Sequence, residues 1–229
     1  NDEQREALQH LLEQDIASLR QDTWPEFANR QIAALRCTAC HQRENEKDFW
    51  FALEALEASK KPKPVNPFDD EETQDRTIHR SRPPLIFTGE KLRPEWMEQL
   101  FLGKLSYKPR PKLEARMPAF PAYARGLAHG LALDHGLDSV SPEPGPVNHE
   151  LANVGQALIQ KGALACVDCH AVGAQPALAG ADTSTINFAH VPDRLRKDYF
   201  DRYLLDPQRL LPGTMMPKFV NDEGVTGLT

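Results

Sequence analysis

Cys-Thr-Ala-Cys-His at residues 37–41 and Cys-Val-Asp-Cys-His at residues 166–170 consume all four cysteines of the 229-residue chain. A Cys-x-x-Cys pair has four chemistries open to it: a disulfide, a redox dithiol, half of a thiolate zinc site, or a pair of thioether bonds to a porphyrin. A disulfide across two intervening residues is strained, and dithiol sites of the thioredoxin type come singly on a strand-to-helix turn. Neither needs the histidine. Zinc could take four thiolates, but 125 residues separate Cys40 from Cys166 (166 − 40 − 1), against about 12–20 in zinc knuckles. Haem attachment uses every residue of the motif. The thiols of Cys37 and Cys40 add across the two vinyl groups and His41 is aimed at the iron; Cys166, Cys169 and His170 repeat the scheme. Two copies that leave no cysteine spare favour haem c, with zinc or dithiol chemistry as the remaining readings.

Haem iron takes a sixth ligand or keeps an open face, and that choice separates electron carriers from enzymes. An internal repeat locates the second ligands. The segments LRPEWMEQLFL (92–102) and LRKDYFDRYLL (195–205) align without a gap at an offset of 103 (195 − 92). Downstream, RMPAF (116–120) and MMPKF (215–219) align at 99 (215 − 116). Upstream, PPL (83–85) matches PAL (176–178), and the pentapeptides match at 129 (166 − 37). Four blocks in one order, with loops of varying length, mark a duplicated unit. Met117 and Met216 stand at equivalent positions, each before a proline that fixes an extended loop. A thioether is a soft, neutral ligand suited to low-spin iron. A methionine is more often core filler, but recurrence at one repeat position favours ligation, with Met215 as the rival to Met216. His79 and His190 are the histidines outside the pentapeptides best placed to ligate, yet they share no offset. His129 and His135 read as surface residues beside a helix.

Two units of the form Cys-x-x-Cys-His, Pro-x-Leu, an aromatic-bearing helix and Met-Pro resemble class I c-type cytochromes, in a two-domain dihaem arrangement over residues 24–137 and 150–220. The resemblance implies an all-α fold of two tandem cytochrome c-like domains, each wrapped around one covalent haem c. It implies His41 and Met117 on one iron and His170 and Met216 on the other. The carbonyls of Pro83 and Pro176 would accept hydrogen bonds from the proximal histidines and orient their rings. Trp96 and Tyr199 would pack near a haem edge or propionate, ordinary core packing being the competing reading. The resemblance further implies a periplasmic or otherwise exported protein, with redox proteins as donor and acceptor.

These residues need elements to hold them. Residues 3–19 place Leu8, Leu11, Leu12, Ile16 and Leu19 on one face of an amphipathic helix. A second helix enters through Pro25, carries Trp24, Phe27, Ile32 and Leu35 towards the haem, and delivers the chain to Cys37. Residues 47–82 form an insertion: a helix with Phe49, Leu53 and Leu56 inward, then a proline-rich charged loop. Tyr123, Leu127 and Leu131 at helical spacing suit a terminal helix that closes the first domain, taken as residues 1–140. Residues 141–149 are the linker. The second domain, 150–229, opens with a helix whose Leu151, Val154, Leu158 and Ile159 face its core, and no residues remain for a closing helix of its own. It is expected to be truncated at its C-terminus, or to use another element such as the N-terminal helix.

The formal net charge of −6 argues against nucleic acid, which needs a basic face. No run of about 18 apolar residues and no basic-then-apolar start is present, so any membrane anchor or export signal is expected to lie outside this chain. The functional expectation is electron transfer through two His/Met-ligated haems, either as a free carrier or as the haem module of a larger redox protein. The alternative is a dihaem peroxidase, in which one iron lacks its distal ligand.

Overall fold

Thr23-Trp-Pro-Glu is a helix start written in four residues. In the computed structural model, which describes residues 2–13, 22–43, 82–109, 116–143, 145–178, 186–212 and 214–221 together with Leu53, Leu56, Ser59, Glu223 and Thr226, the Glu26 amide donates to Thr23 Oγ1 and the Thr23 amide donates to the Glu26 carboxylate. This capping box satisfies two amides that a helix leaves without intrahelical partners. The helices are α1 (Asp2–Glu13), α2 (Trp24–Ala34), α3 (Thr88–Lys91), α4 (Pro94–Leu102), α5 (Ala124–Asp134), α6 (His149–Leu158), α7 (Cys166–Cys169), α8 (Val191–Arg194), α9 (Lys197–Leu205) and α10 (Pro207–Leu210), with 3-10 turns at Cys37–Ala39 and Phe188–His190. Among the described residues the only extended pairings are three isolated bridges, and no helix is long and apolar enough to cross a membrane. The architecture is all-α.

The core of the N-terminal half forms where α2 and α4 both pack on α5. Ala28 and Ile32 from α2, Trp96, Met97 and Phe101 from α4, and Ala124, Leu127, Ala128 and Leu131 from α5 are buried in one cluster, with Cys37 packed against it. Met97, fully buried, is core filler. Gly126 and Gly130 lie one turn apart on α5 and admit α2 at close range: a Cβ on Gly130 would sit 2.1 Å from the Trp24 carbonyl oxygen, and one on Gly126 would sit 2.2 Å from the Phe27 ring. Trp24 stays outside the buried cluster. It is 44% exposed and packs edge-on to Phe27 and His129, because the close crossing leaves room in the core only for Ala28 and Ile32.

Other expectations change with the packing. Leu56 is 53% exposed rather than inward, while Phe49 and the charged loop lie outside the described residues. On α1 the described side chains are solvent-exposed, Leu8 included. The linker does not begin as a loose tether. Ser141 is buried, and its amide and hydroxyl donate to the two carboxylate oxygens of Glu95 at 2.7 and 2.8 Å. Burial pushes the Glu95 carboxyl up, but the Ser141 amide, its hydroxyl and Arg93 hold it below its ordinary value of 4.5. A carboxylate depressed on folding contributes stability above its unfolded value, and that contribution is lost as pH falls through the folded value. Chemical denaturation at a series of pH values below 4.5 is therefore expected to show a steeper loss for the native chain than for Glu95→Gln.

The helix that opens the C-terminal half corrects a further expectation. Leu151, Val154 and Leu158 do not face a core: they are 67%, 54% and 40% exposed. Periodicity gave α6 an apolar stripe, but among the described residues nothing plays for α6 the part that α5 plays for α2. Among the described residues of this half the buried hydrophobic ones are Val167, Ala177 and Tyr199, with Pro207 also buried.

The two halves meet through equivalent residues. Helix α3 recurs as α8 and α4 as α9, both at the offset of 103 (191 − 88 and 197 − 94). The residues between them, Leu92 and Leu195, pair with each other as an antiparallel bridge. The Arg93 amide donates to the Arg194 carbonyl at 2.9 Å, and the Arg196 amide donates to the Lys91 carbonyl at 3.0 Å. Exchanging each residue for its repeat equivalent turns one bond into the other, the signature of an isologous contact. Here it is formed within one chain.

Candidate functional site

The two pentapeptides adopt the same local backbone. Arg36 and Ala165, immediately before Cys37 and Cys166, are the described non-glycine residues with left-handed φ, at 54° and 52°. The chain thus turns sharply into a single helical turn, and in each copy the histidine amide donates to the carbonyl of the first cysteine, His41 to Cys37 and His170 to Cys166, both at 2.9 Å. Non-glycine residues reach this conformation at a cost of roughly 1 kcal/mol or more, so its recurrence at both positions is a shared requirement of the motif. In both copies the first cysteine is half-buried and the second exposed, and none of the four is in a disulfide.

Each histidine ring is held by one backbone carbonyl. Nδ1 of His41 lies 2.8 Å from the Pro83 carbonyl oxygen. Because a carbonyl oxygen only accepts, Nδ1 carries the proton and the lone pair of the neutral ring sits on Nε2, which is the nitrogen a metal would use. Nδ1 of His170 lies 2.8 Å from a carbonyl in the same way, but the carbonyl belongs to Ile186 and not to Pro176. The reason is register. Pro83 and Ile186 are 103 apart (186 − 83), the same offset that relates α3 to α8. The Pro-x-Leu match to Pro176 left that register, and Leu178 instead donates its amide to the Val167 carbonyl. Phe188, two residues past Ile186, stacks on the His170 ring at 4.5 Å. Burial pulls the His170 ring below its ordinary range and so favours the neutral imidazole, an effect that the bond to Ile186 offsets only in part.

The methionines lie on loops tied to the helices before them. The Phe120 amide donates to the Phe101 carbonyl at 2.7 Å, pinning the Met117 loop to the end of α4. In the other half Tyr203 on α9 bonds Thr214 at 3.1 Å, and Thr214 Oγ1 accepts from the Met216 amide at 3.3 Å. Met216 is half-buried and its neighbour Met215 is 57% exposed, so Met216 is the better placed of the two; Met117 is 40% exposed. Trp96 and Tyr199 are both buried at equivalent positions, and the Trp96 indole donates to the Tyr107 hydroxyl at 2.8 Å.

The remaining histidines have other work. His190 stacks on Tyr107 at 3.5 Å with the rings nearly parallel. His135 is half-buried rather than a surface residue, with its ring between the carbonyls of Leu131 and Ile86. His79 lies outside the described residues.

The donor chemistry discriminates among the readings of the pentapeptides. Among the described residues no three His, Cys, Asp or Glu side chains gather as a metal site. Burial pushes the Cys37 and Cys166 thiols up, opposite to the lowered values that make dithiols reactive. Porphyrin, which brings four nitrogens of its own, would ask of each half two thiols and a histidine nitrogen on one turn, which Cys37, Cys40 and His41 and Cys166, Cys169 and His170 offer. No family model, characterised protein or solved structure matches the chain.

Proposed function

We propose that the chain is an electron-transfer protein carrying two covalent haem c groups, one per half, with the two-domain organisation of dihaem class I c-type cytochromes. The observation that carries this reading is the repetition of one ligand geometry: a left-handed entry residue, a Cys-x-x-Cys turn, and a histidine whose Nδ1 is held by a carbonyl at 2.8 Å in both halves. Haem bound there would supply a one-electron ferric/ferrous couple.

The chain's own groups set how that couple is used. Cys37 and Cys40, and Cys166 and Cys169, fix the porphyrin in place. His41 and His170 present Nε2 as the proximal ligand, with tautomer and orientation imposed by Pro83 and Ile186. Met117 and Met216 would serve as neutral sulfur ligands, which would leave no iron position for a substrate and hold the potential above that of bis-histidine haem. Cys40 and Cys169 are exposed, so a haem held there would be reachable from the surface, where a redox protein could dock transiently over a small patch. A periplasmic or otherwise exported location follows from the attachment chemistry.

The test is the spectrum of the ferric protein. Thioether ligation of both irons predicts a low-spin spectrum with the weak far-red band of sulfur-bound ferric haem. Met117→Ala and Met216→Ala are each expected to remove one of two contributions to it, and Met215→Ala neither. A high-spin component in the native protein would overturn the carrier reading in favour of a peroxidase-like open iron.

A further inference from the structure

The contact between the halves exchanges charge as well as backbone hydrogen bonds. Lys91 and Arg194 are equivalent at the offset of 103 (194 − 91), as are Trp96 and Tyr199 (199 − 96). The Lys91 ammonium lies 5.8 Å from the centre of the Tyr199 ring, and the Arg194 guanidinium carbon lies 4.9 Å from the centre of the Trp96 ring. Each half thus lays a cation over the buried aromatic of the other. The exchange is uneven. Arg194 is 4% exposed while Lys91 is only half-buried, and the arginine approaches its ring more closely. Guanidinium also stays charged under all ordinary conditions.

Both aromatics connect to the attachment and ligand elements of their own half. Trp96 belongs to the buried cluster against which Cys37 packs. Tyr199 stacks on Tyr203, which bonds Thr214, which accepts from the Met216 amide. Each ring is thus linked by packing to an element that carries an attachment or ligand residue of its own half. In a low-dielectric interior a fixed charge is felt far more strongly than in water, and a positive one favours the reduced, less positive state of a redox centre.

We propose that the halves set each other's redox potential through these crossed cations: Arg194, from the C-terminal half, raises the potential of the N-terminal haem, and Lys91, from the N-terminal half, raises that of the C-terminal haem by less. The inference rests on the haem reading above. It makes the isologous contact a functional coupling, in which the internal step between the haems is biased by residues from the opposite side of the interface. A cation over an aromatic also helps hold the halves together, so a test must separate charge from packing.

The experiment is a redox titration of the intact two-haem protein followed by NMR. The methyl signal of each axial methionine reports its own haem, assigned with Met117→Ala and Met216→Ala. Arg194→Gln is expected to lower the N-terminal midpoint, with about a threefold to tenfold fall in the ferrous-to-ferric ratio at fixed ambient potential; tenfold is about 59 mV for a one-electron couple. The C-terminal midpoint should stay in place. Arg194→Lys should restore most of the loss, because it keeps the charge while altering the stack. Lys91→Gln should lower the C-terminal midpoint by a smaller factor. If Arg194→Gln moves the C-terminal midpoint instead, moves both equally, or moves neither, the proposal is overturned. It is equally overturned if Arg194→Lys shifts the potential as far as Arg194→Gln, since packing alone would then account for the effect. A chain that carries no haem would sink the haem reading and this proposal with it, whereas two haems with unmoved potentials would sink this proposal alone.

Discussion

Replacing Cys166 and Cys169 together by serine is expected to strip one haem from the chain, leave the other attached, and unfold much of the C-terminal half. The two halves differ in what else supports them. The N-terminal half has a buried cluster of nine hydrophobic residues drawn from three helices. The C-terminal half buries Val167, Ala177 and Tyr199, and its α6 leaves Leu151, Val154 and Leu158 exposed. Burying a leucine-sized side chain contributes about 1.5–3 kcal/mol, so among the described residues the C-terminal half has much less apolar burial than the N-terminal half to offset the entropy of its ordering. The porphyrin would be the core of this half. Cys37→Ser with Cys40→Ser should remove the other haem at much smaller structural cost. Intact-mass measurement reads the haem count of each variant, and hydrogen exchange reads the protection of α6 and α9. Equal loss of protection in the two variants would contradict the asymmetry.

Gly130→Ala is expected to destabilise the N-terminal half by about 2 kcal/mol. Alanine is the better helix former by about 1 kcal/mol, but the added Cβ would lie 2.1 Å from the Trp24 carbonyl oxygen and 2.5 Å from Ala28 Cβ. A backbone atom cannot rotate away, so α2 as a whole must shift, and overpacking of this kind costs about 1–3 kcal/mol or more. The upper end applies, and the clash outweighs the propensity gain. Gly155→Ala on α6 is the matched comparison. Outside its own helix, no heavy atom of the described residues lies within 4 Å of its Cβ position, so the same substitution is expected to stabilise by up to about 1 kcal/mol. Urea unfolding of both variants checks the opposite signs.

Much of this arrangement is written in side-chain types, while the bonds that hold the histidine rings and join the halves end on backbone carbonyls. The capping box at Thr23, Pro94 at the start of α4, and the left-handed Gly103 that ends it mark their helices directly. The apolar spacing of Leu127 and Leu131 marks α5 and its buried face. The carbonyl that holds His170 has no such mark, because any residue presents a carbonyl. Matching Pro-x-Leu by identity therefore led to Pro176, whereas carrying the ungapped offset of 103 back from Leu195 leads to Ile186. The same constant offset was the visible trace of the Leu92–Leu195 bridge, whose bonds are again between backbone groups. The error on α6 is of another kind. Periodicity identifies an apolar stripe, but whether a second helix covers it depends on what packs there. Trp24 illustrates the converse, since its place on the outside follows from how closely Gly126 and Gly130 draw the two helices together.

The most direct measurement is the intact mass of the protein after expression in a host competent for cytochrome c maturation, together with its pyridine haemochrome spectrum. The account predicts a mass raised by two haems, surviving denaturation, and a haemochrome of the doubly thioether-bonded type. An unmodified mass, or zinc retained in place of porphyrin, would contradict it.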